Sequence, residues 1–194
     1  MATTIHIDKG LILQVKQRDE TAFLELYDRT STDVARLVSY LLDDPSELED
    51  VIQEIYVAIY RALSKFDTDK SFRAWMMGIV VRQVNAHRRR KWRFHRNDTV
   101  LAKNFGSVHV RDIADDVVDD LQSQLLVQSI RGLPAKFKAV VVLYYVHEYT
   151  RDEIGEILGI PPGTVASRLR LALERLRRTY PDKLSESEVN NNGL

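Results

Sequence analysis

Apolar residues recur at three- and four-residue steps along most of this chain, and alternating apolar–polar stretches are scarce. That spacing predicts helices nearly throughout. Leu11, Val15, Phe23, Leu26 and Tyr27, followed by Val34, Leu37, Val38, Leu41 and Leu42, mark the first helices across 11–42. Asp43-Asp44-Pro45 breaks the pattern. Ser46 to Glu49 has the form of a capping box, in which the serine and glutamate each bond one free backbone N–H. The helix it opens is expected to run to Leu63 and to bury Leu48, Ile52, Ile55, Ile59 and Leu63. After a loop over 64–71, Trp75, Met76, Ile79, Val80 and Val84 predict a long helix from Phe72 to about Arg90. No proline falls between Pro45 and Pro134, and an interior proline would break such helices.

The character changes after Arg96. Asn97, Asp98, Asn104, Gly106 and Ser107 are turn-formers, and Asp112, Asp115, Asp116, Asp119 and Asp120 follow. This composition predicts a flexible acidic linker. Leu125, Leu126 and Ile130 predict a helix that ends at Gly132-Leu133-Pro134, and Phe137 to Tyr144 predict another. Thr150 to Glu153 is a second capping-box pattern, opening a short helix to Leu158. Gly159 to Gly163 is a tight turn, and Thr164 to about Thr179 is the last helix. The chain therefore reads as all-α: two small helical domains joined by a flexible linker, the C-terminal one holding a helix-turn-helix. The expected boundaries are 1–96, 97–120 and 121–182, with a frayed tail over 183–194.

Composition narrows the function. Of 194 residues, 44% are hydrophobic, enough for a core, and none is cysteine. Disulfides, thiolate metal sites and cysteine nucleophiles are thereby excluded. His6, His87, His95, His109 and His147 show no metal-ligand spacing, so neither a metal, a cofactor nor a catalytic site is expected. No apolar run approaches the roughly 18 residues a membrane span needs. A soluble, cytoplasmic protein with no membrane insertion is the expectation.

The charge is balanced, 28 basic against 28 acidic residues, but it is segregated. Residues 81–96 hold seven Lys or Arg, among them Arg82, Arg89 and Arg90, and no acid. Cations at a helix C-terminus offset its dipole, yet this cluster is denser than capping needs. Trp92 and Phe94 alternate with its arginines, a pattern suited to unpaired bases and phosphates. Asp43 to Glu54 holds six acids and no base. Asp50, Gln53 and Glu54 lie off the predicted stripe with Tyr56 and Tyr60 near them, a face suited to a basic protein partner. In the last helix Val165, Leu169, Ala172 and Leu176 should pack inward. Thr164, Ser167, Arg168, Arg170, Leu171 and Arg175 are its candidates for contact with duplex DNA. A plain helical hairpin with a solvated basic face shares this last pattern. An autonomous repressor or activator and a nuclease or recombinase are the competing classes.

The order of these parts resembles the extracytoplasmic-function group of bacterial RNA polymerase sigma factors, within the sigma-70 family. The resemblance covers roughly Leu11 to Tyr180. Asp19 to Phe23 with Leu26-Tyr27 is similar to the group's opening helices, and Glu49 to Tyr56 to its core-binding helix. Phe66-Asp67 with Phe72 to Met76 is similar to its promoter-melting segment, and Ile160 to Leu169 to its last region. The resemblance implies an N-terminal domain that docks on the clamp helices of the polymerase largest subunit and reads a single-stranded minus-10 element. It implies a C-terminal domain that binds the flap of the second-largest subunit and reads the minus-35 duplex. Asp50, Gln53, Glu54 and Tyr56 match the core-binding pattern, and Lys65, Phe66, Phe72 and Trp75 match the melting segment. An anti-sigma protein is an implied partner. Arg82 and Ala86 stand where relatives often place Asn and Asp, and Ala166 and Leu171 where they often place basic residues. An unusual minus-10 sequence, fewer phosphate contacts in the last helix and a thymine methyl met by Leu171 are the resulting expectations.

Overall fold

The computed structural model describes residues 7–97 and 128–179, and among them it contains helices and turns but no strand. Helix α1 spans Lys9–Lys16, with the Asp8 carboxylate accepting from the Leu11 N–H at 2.8 Å. Arg18 takes a left-handed conformation (φ 66°) and ends it. Asp19 then caps α2, Glu20–Leu41, by accepting from the Ala22 N–H. The periodic stretch 11–42 is thus two helices, broken at Arg18 and Asp19, and the Asp19 carboxylate takes one of the backbone N–H groups that the break frees.

The capping box expected at Ser46–Glu49 does not form. Asp44 accepts from the Ser46 N–H and hydroxyl at 3.1 and 2.7 Å, and caps a 3₁₀ turn over Pro45–Glu47. Helix α3, Leu48–Leu63, follows with no side-chain cap of its own. Its buried stripe is Leu48, Val51, Ile55, Tyr56, Ile59 and Leu63, while Ile52 is only half-buried. Helix α4 spans Phe72–Asn97, about two turns longer than expected.

In the C-terminal half a helical turn at 128–131 leads through Gly132 to α5, Ala135–Val141. A π turn over Val142–Val146 continues it, closed by the His147 N–H on the Val142 carbonyl at 3.1 Å. Glu148 has φ 57°. This left-handed step lies between two buried residues, His147 and Tyr149, whose rings stack 6.5 Å apart. Helix α6, Arg151–Leu158, opens with the expected box, Thr150 and Glu153 bonding each other's backbone. Gly159 ends it at φ 65°, a conformation glycine adopts without a Cβ penalty. A Cβ on Gly155 would lie 2.8 Å from the Ile160 carbonyl, so the turn can fold back on α6 only over a glycine. Helix α7, Pro162–Thr179, begins two residues earlier than expected. Nearly all of the predicted linker, the helix of Leu125 and Leu126, and the predicted tail lie outside the described residues.

Packing centres on α4. The expected inward face of Met76, Ile79, Val80 and Val84 is buried, but so are Ala74, Met77, Gly78 and Val81 on other sides. Over its first three turns α4 is covered nearly all round, as a helix apolar on all sides should be. Helices α2 and α3 cover one side, and α6 of the C-terminal half covers another. A Cβ on Gly78 would lie 3.1 Å from the Ile157 carbonyl of α6. One buried cluster therefore runs through both sets of helices.

His147 is 1% exposed in this seam, and its pKa falls to about 4. Burial is the main cause; Asp33 opposes it, and Arg73 and Arg36 reinforce it. Unfolded histidine titrates near 6.5. Stability is therefore complete above about pH 6.5 and falls as the pH drops towards 4, because the unfolded chain takes the proton first. The loss should total about 3 kcal/mol. Urea midpoints at pH 7 and 4.5 measure it. His147→Leu should flatten the drop, and an undiminished drop in that variant would contradict the assignment.

Candidate nucleic-acid and docking surfaces

Steps of seven, four, three and four residues place Trp75, Arg82, Ala86, Arg89 and Arg93 on one face of α4. Arg82, Arg89 and Arg93 are exposed along it, and Trp75 is half-buried at its head. The stripe is about 27 Å long at 1.5 Å per residue. Phe66, Phe72 and Trp75 form a ring cluster with centroids 4.7 to 5.5 Å apart. Phe66 and Phe72 are buried, so they hold Trp75 in place instead of offering their own faces. The Lys16 ammonium fastens the same loop, donating to the Phe66 carbonyl at 2.9 Å. Lys65 is exposed beside it. Arg90 points elsewhere, pairing with Glu54 of α3.

The acidic and basic stretches, distant in sequence, lie side by side. Asp43 takes Arg88 at 2.9 Å and Lys138 of α5 at 3.1 Å. Glu47 takes His87 at 3.0 Å and Lys91 at 2.9 Å, and Asp44 takes Lys91 at 3.1 Å. Burial acts to lower the Lys91 pKa, but Glu47 and Asp44 together outweigh it and raise it. The Asp44 carboxyl is held low by Ser46 and then Lys91. Much of the local charge on both stretches is consumed internally. Glu49, Asp50 and Gln53 remain exposed on α3, with Val57 and Tyr60 one and two turns on. A groove of about 700 Å³ passes from Gln53, Glu54 and Val57 to Lys65 and Gln83, joining this face to α4. Tyr56 is not part of that face. It is 4% exposed, its hydroxyl lies 2.8 Å from the Thr30 hydroxyl, and burial raises its pKa.

On α7, Val165, Leu169, Ala172 and Leu176 are buried as expected. Ser167 and Arg170 are exposed, Thr164 and Arg168 half-exposed. Leu171 is half-buried and packs on the core, and the Arg175 guanidinium lies 4.4 Å from the Phe137 ring centroid. Ser167 and Arg168 are thus better placed for a groove than Leu171. Arg170 pairs with Glu174 one turn on.

Residues at the seam between the halves went unrecognised in the sequence. They are Asp33, Arg73, Gly78, Lys138 and Tyr149. Only Gly78 inside a helical pattern and Lys138 inside an apolar run carried a signal. Among the described residues no cluster of His, Asp and Glu could hold a metal, and no helix is long and apolar enough to cross a membrane.

Two family models match the chain, Sigma-70 region 2 over residues 26–94 and Sigma-70, region 4 over residues 123–176. The ECF RNA polymerase sigma factor SigW of Bacillus subtilis is 32% identical over 181 residues, covering 90% of this chain and 97% of its own. The corresponding SigK of Mycobacterium tuberculosis is 31% identical over 176 residues, covering 87% and 90%. The sigma factor RpoE of Bartonella quintana, solved with the anti-sigma factor NepR, superposes with a TM-score of 0.70 at 16% identity, covering 83% and 98%. CnrH, solved with the cytosolic domain of CnrY, gives 0.66 at 21%, covering 91% and 98%. These two structures share the fold.

Internal neutralisation has a measurable consequence. Asp44→Asn with Glu47→Gln frees Lys91, so affinity for non-specific single-stranded DNA should rise. The slope of log affinity against log salt should steepen by about 0.7 for the added phosphate contact. An unchanged slope would show that Lys91 is not held back by these carboxylates.

Proposed function

Because the chain belongs to the extracytoplasmic-function RNA polymerase sigma factors, we infer that it is an alternative sigma factor, one that binds core RNA polymerase and directs promoter recognition, melting and initiation. The observation that carries the reading is the pair of matched regions, each with an exposed cationic face, the first also bearing an α3 face of acids and amides. Chemistry at the start site belongs to the polymerase, and this chain supplies position. The function sets it in the cytoplasm beside that enzyme.

Residues 1–96 form the docking and melting unit in this reading. Asp50, Gln53 and Glu54 meet the clamp helices of the largest subunit, and Tyr56 supports them from beneath through its bond to Thr30. The exposed stripe of Arg82 and Arg89 tracks the phosphates of a melted strand. Trp75 stands at its head as a stacking platform, with Phe66 and Phe72 behind it and Lys65 beside it. Arg90 joins the stripe when Glu54 is drawn to the polymerase. Arg82 gives this face a cation where relatives often carry an amide, which favours phosphate contact over base readout.

Residues 121–182 form the duplex-reading unit, and they engage the flap of the second-largest subunit. Thr164, Ser167, Arg168 and Arg170 approach the minus-35 major groove, with Leu171 and Arg175 at the flank. The RpoE structure was solved with an anti-sigma factor, and an inhibitor of that kind is the expected partner here.

Asp50→Arg should weaken binding to core polymerase at least tenfold and leave minus-35 duplex binding by the same protein unchanged. Retained core affinity in a titration would remove Asp50 from the docking face. Arg168→Ala should cost about 1–3 kcal/mol at one base pair of the minus-35 element. A binding-site selection that returns the same preference would reassign that contact. Run-off transcription with core polymerase on randomised promoters tests the whole reading, and no initiation from any template would overturn it.

A further inference from the structure

We propose that Phe137 gathers Lys136 and Arg175 into a phosphate grip, which seats α7 on the minus-35 duplex by holding two successive phosphates of one strand. It rests on the sigma-factor reading above, and it gives Lys136 a DNA contact and Phe137 a positioning role. The Phe137 ring is 3% exposed, where α5 packs on α7. The Arg175 guanidinium of α7 lies 4.4 Å from its centroid, and the Lys136 ammonium of α5 lies 5.0 Å from it. Both residues are exposed. The two heads are at most about 9.4 Å apart, the sum of those distances. A cation within about 6 Å of a ring centroid is drawn to the negative face of the ring. Like charges repel, so a ring that collects two of them concentrates positive potential at one place on the surface, where an anion relieves the repulsion.

The position of the pair on α7 selects a DNA phosphate as that anion. Steps of three and four residues place Arg168, Leu171 and Arg175 on one side of the helix, and Leu171 is half-buried against the core between the two arginines. A recognition helix meets base edges with its N-terminal residues, so Arg168 is the base reader on this side. Arg175 follows it by seven residues, about 10 Å along the helix axis. The major groove is about 12 Å wide, so its phosphate walls stand about 6 Å from a contact at its middle. Arg175 therefore passes the base edges and arrives at the wall, with Lys136 beside it from α5. Phosphates of one strand succeed one another at about 3.4 Å of duplex axis, and two heads this close can take one each.

Contacts to phosphates carry no sequence information, but they fix the register and orientation of the reader. A grip that reaches the duplex from two helices sets the angle of α7 in the groove, which a contact from α7 alone does not. Long lysine and arginine side chains lose rotamer freedom when they bind. Contact with the ring incurs part of that loss during folding, before the DNA arrives. The grip also compensates for α7 itself, where Ala166 and Leu171 offer no charge to a phosphate. Lys136 supplies that charge from the neighbouring helix.

The test uses the full chain bound to core polymerase and duplex DNA carrying a minus-35 element, drawn from the randomised templates that support run-off transcription. Lys136→Gln should lower the slope of log affinity against log salt by about 0.9, the value of one phosphate contact on B-DNA. Its preferred minus-35 bases should stay the same in a binding-site selection. Phe137→Leu keeps both cations and an apolar core residue, and it should weaken duplex binding about threefold to tenfold. In protein that already carries Lys136→Gln and Arg175→Gln, the same leucine should have no further effect, whereas a ring needed only for packing would weaken binding equally in both backgrounds. Should the leucine variant misfold by circular dichroism, the salt slope of Lys136→Gln decides alone. An unchanged slope or an altered base preference in Lys136→Gln would overturn the grip. An unchanged slope with weaker binding to core would also overturn it and assign Lys136 to an acidic protein surface. Absence of promoter binding and of transcription in wild type and variants alike would overturn the sigma-factor reading instead.

Discussion

The structure depends on one constraint, the burial of the first three turns of α4 on nearly every side. Its first three turns serve two masters. Met76, Ile79, Val80 and Val84 are needed by α2 and α3 to complete the N-terminal core. Gly78 and its neighbours are claimed by α6 from the other half. What remains to solvent there is a narrow strip headed by Trp75 and Arg82, and Arg89 and Arg93 continue it along the more open later turns. A helix so enclosed is rigid, and rigidity is what a reader of unstacked bases requires: the platform must be set before the strand arrives.

Electrostatics follow from the same packing. The acids of 43–54 and the cations of 87–91 are far apart in sequence, but α3 and α4 lie against each other and bring them into pairs. Partly exposed pairs of this kind stabilise a fold only modestly. Their larger effect is on binding. Each internal pair removes a cation from phosphate contact and an acid from protein contact, so the free chain attracts DNA less than its arginine count suggests. The exposed remainder, Asp50 and Gln53 on one face and Arg82 and Arg89 on the other, gives each partner a separate address.

Much of this was legible in the sequence. The helix periods, the Thr150–Glu153 cap, the inward residues of α7 and the enclosing turn at Gly159 follow from local rules, and they form as those rules require. The Ser46–Glu49 pattern does not form its cap because two acceptors, Asp44 and Glu49, compete for Ser46 and Asp44 takes it, a ranking the pattern does not contain. A single wheel sets Tyr56 near the outer face, because it cannot show that Thr30 of α2 offers the Tyr56 hydroxyl a partner. Phe66 and Phe72 matched a functional segment, but their burial depends on the fold of the loop around Trp75. The seam was invisible for a deeper reason. Arg73, Asp33, Lys138 and Tyr149 are charged or polar residues spread over three helices and a connection, and no one-dimensional period brings them together.

Hydrogen–deuterium exchange of the full-length chain, alone and bound to core polymerase, probes the shared burial of α4 most directly. Alone, the amides of α6 and of the π turn before it should exchange slowly, protected by the seam. On core binding those of α3 should slow down. If α6 exchanges in the free chain as fast as an unpacked helix, α4 is not a helix that the two halves share.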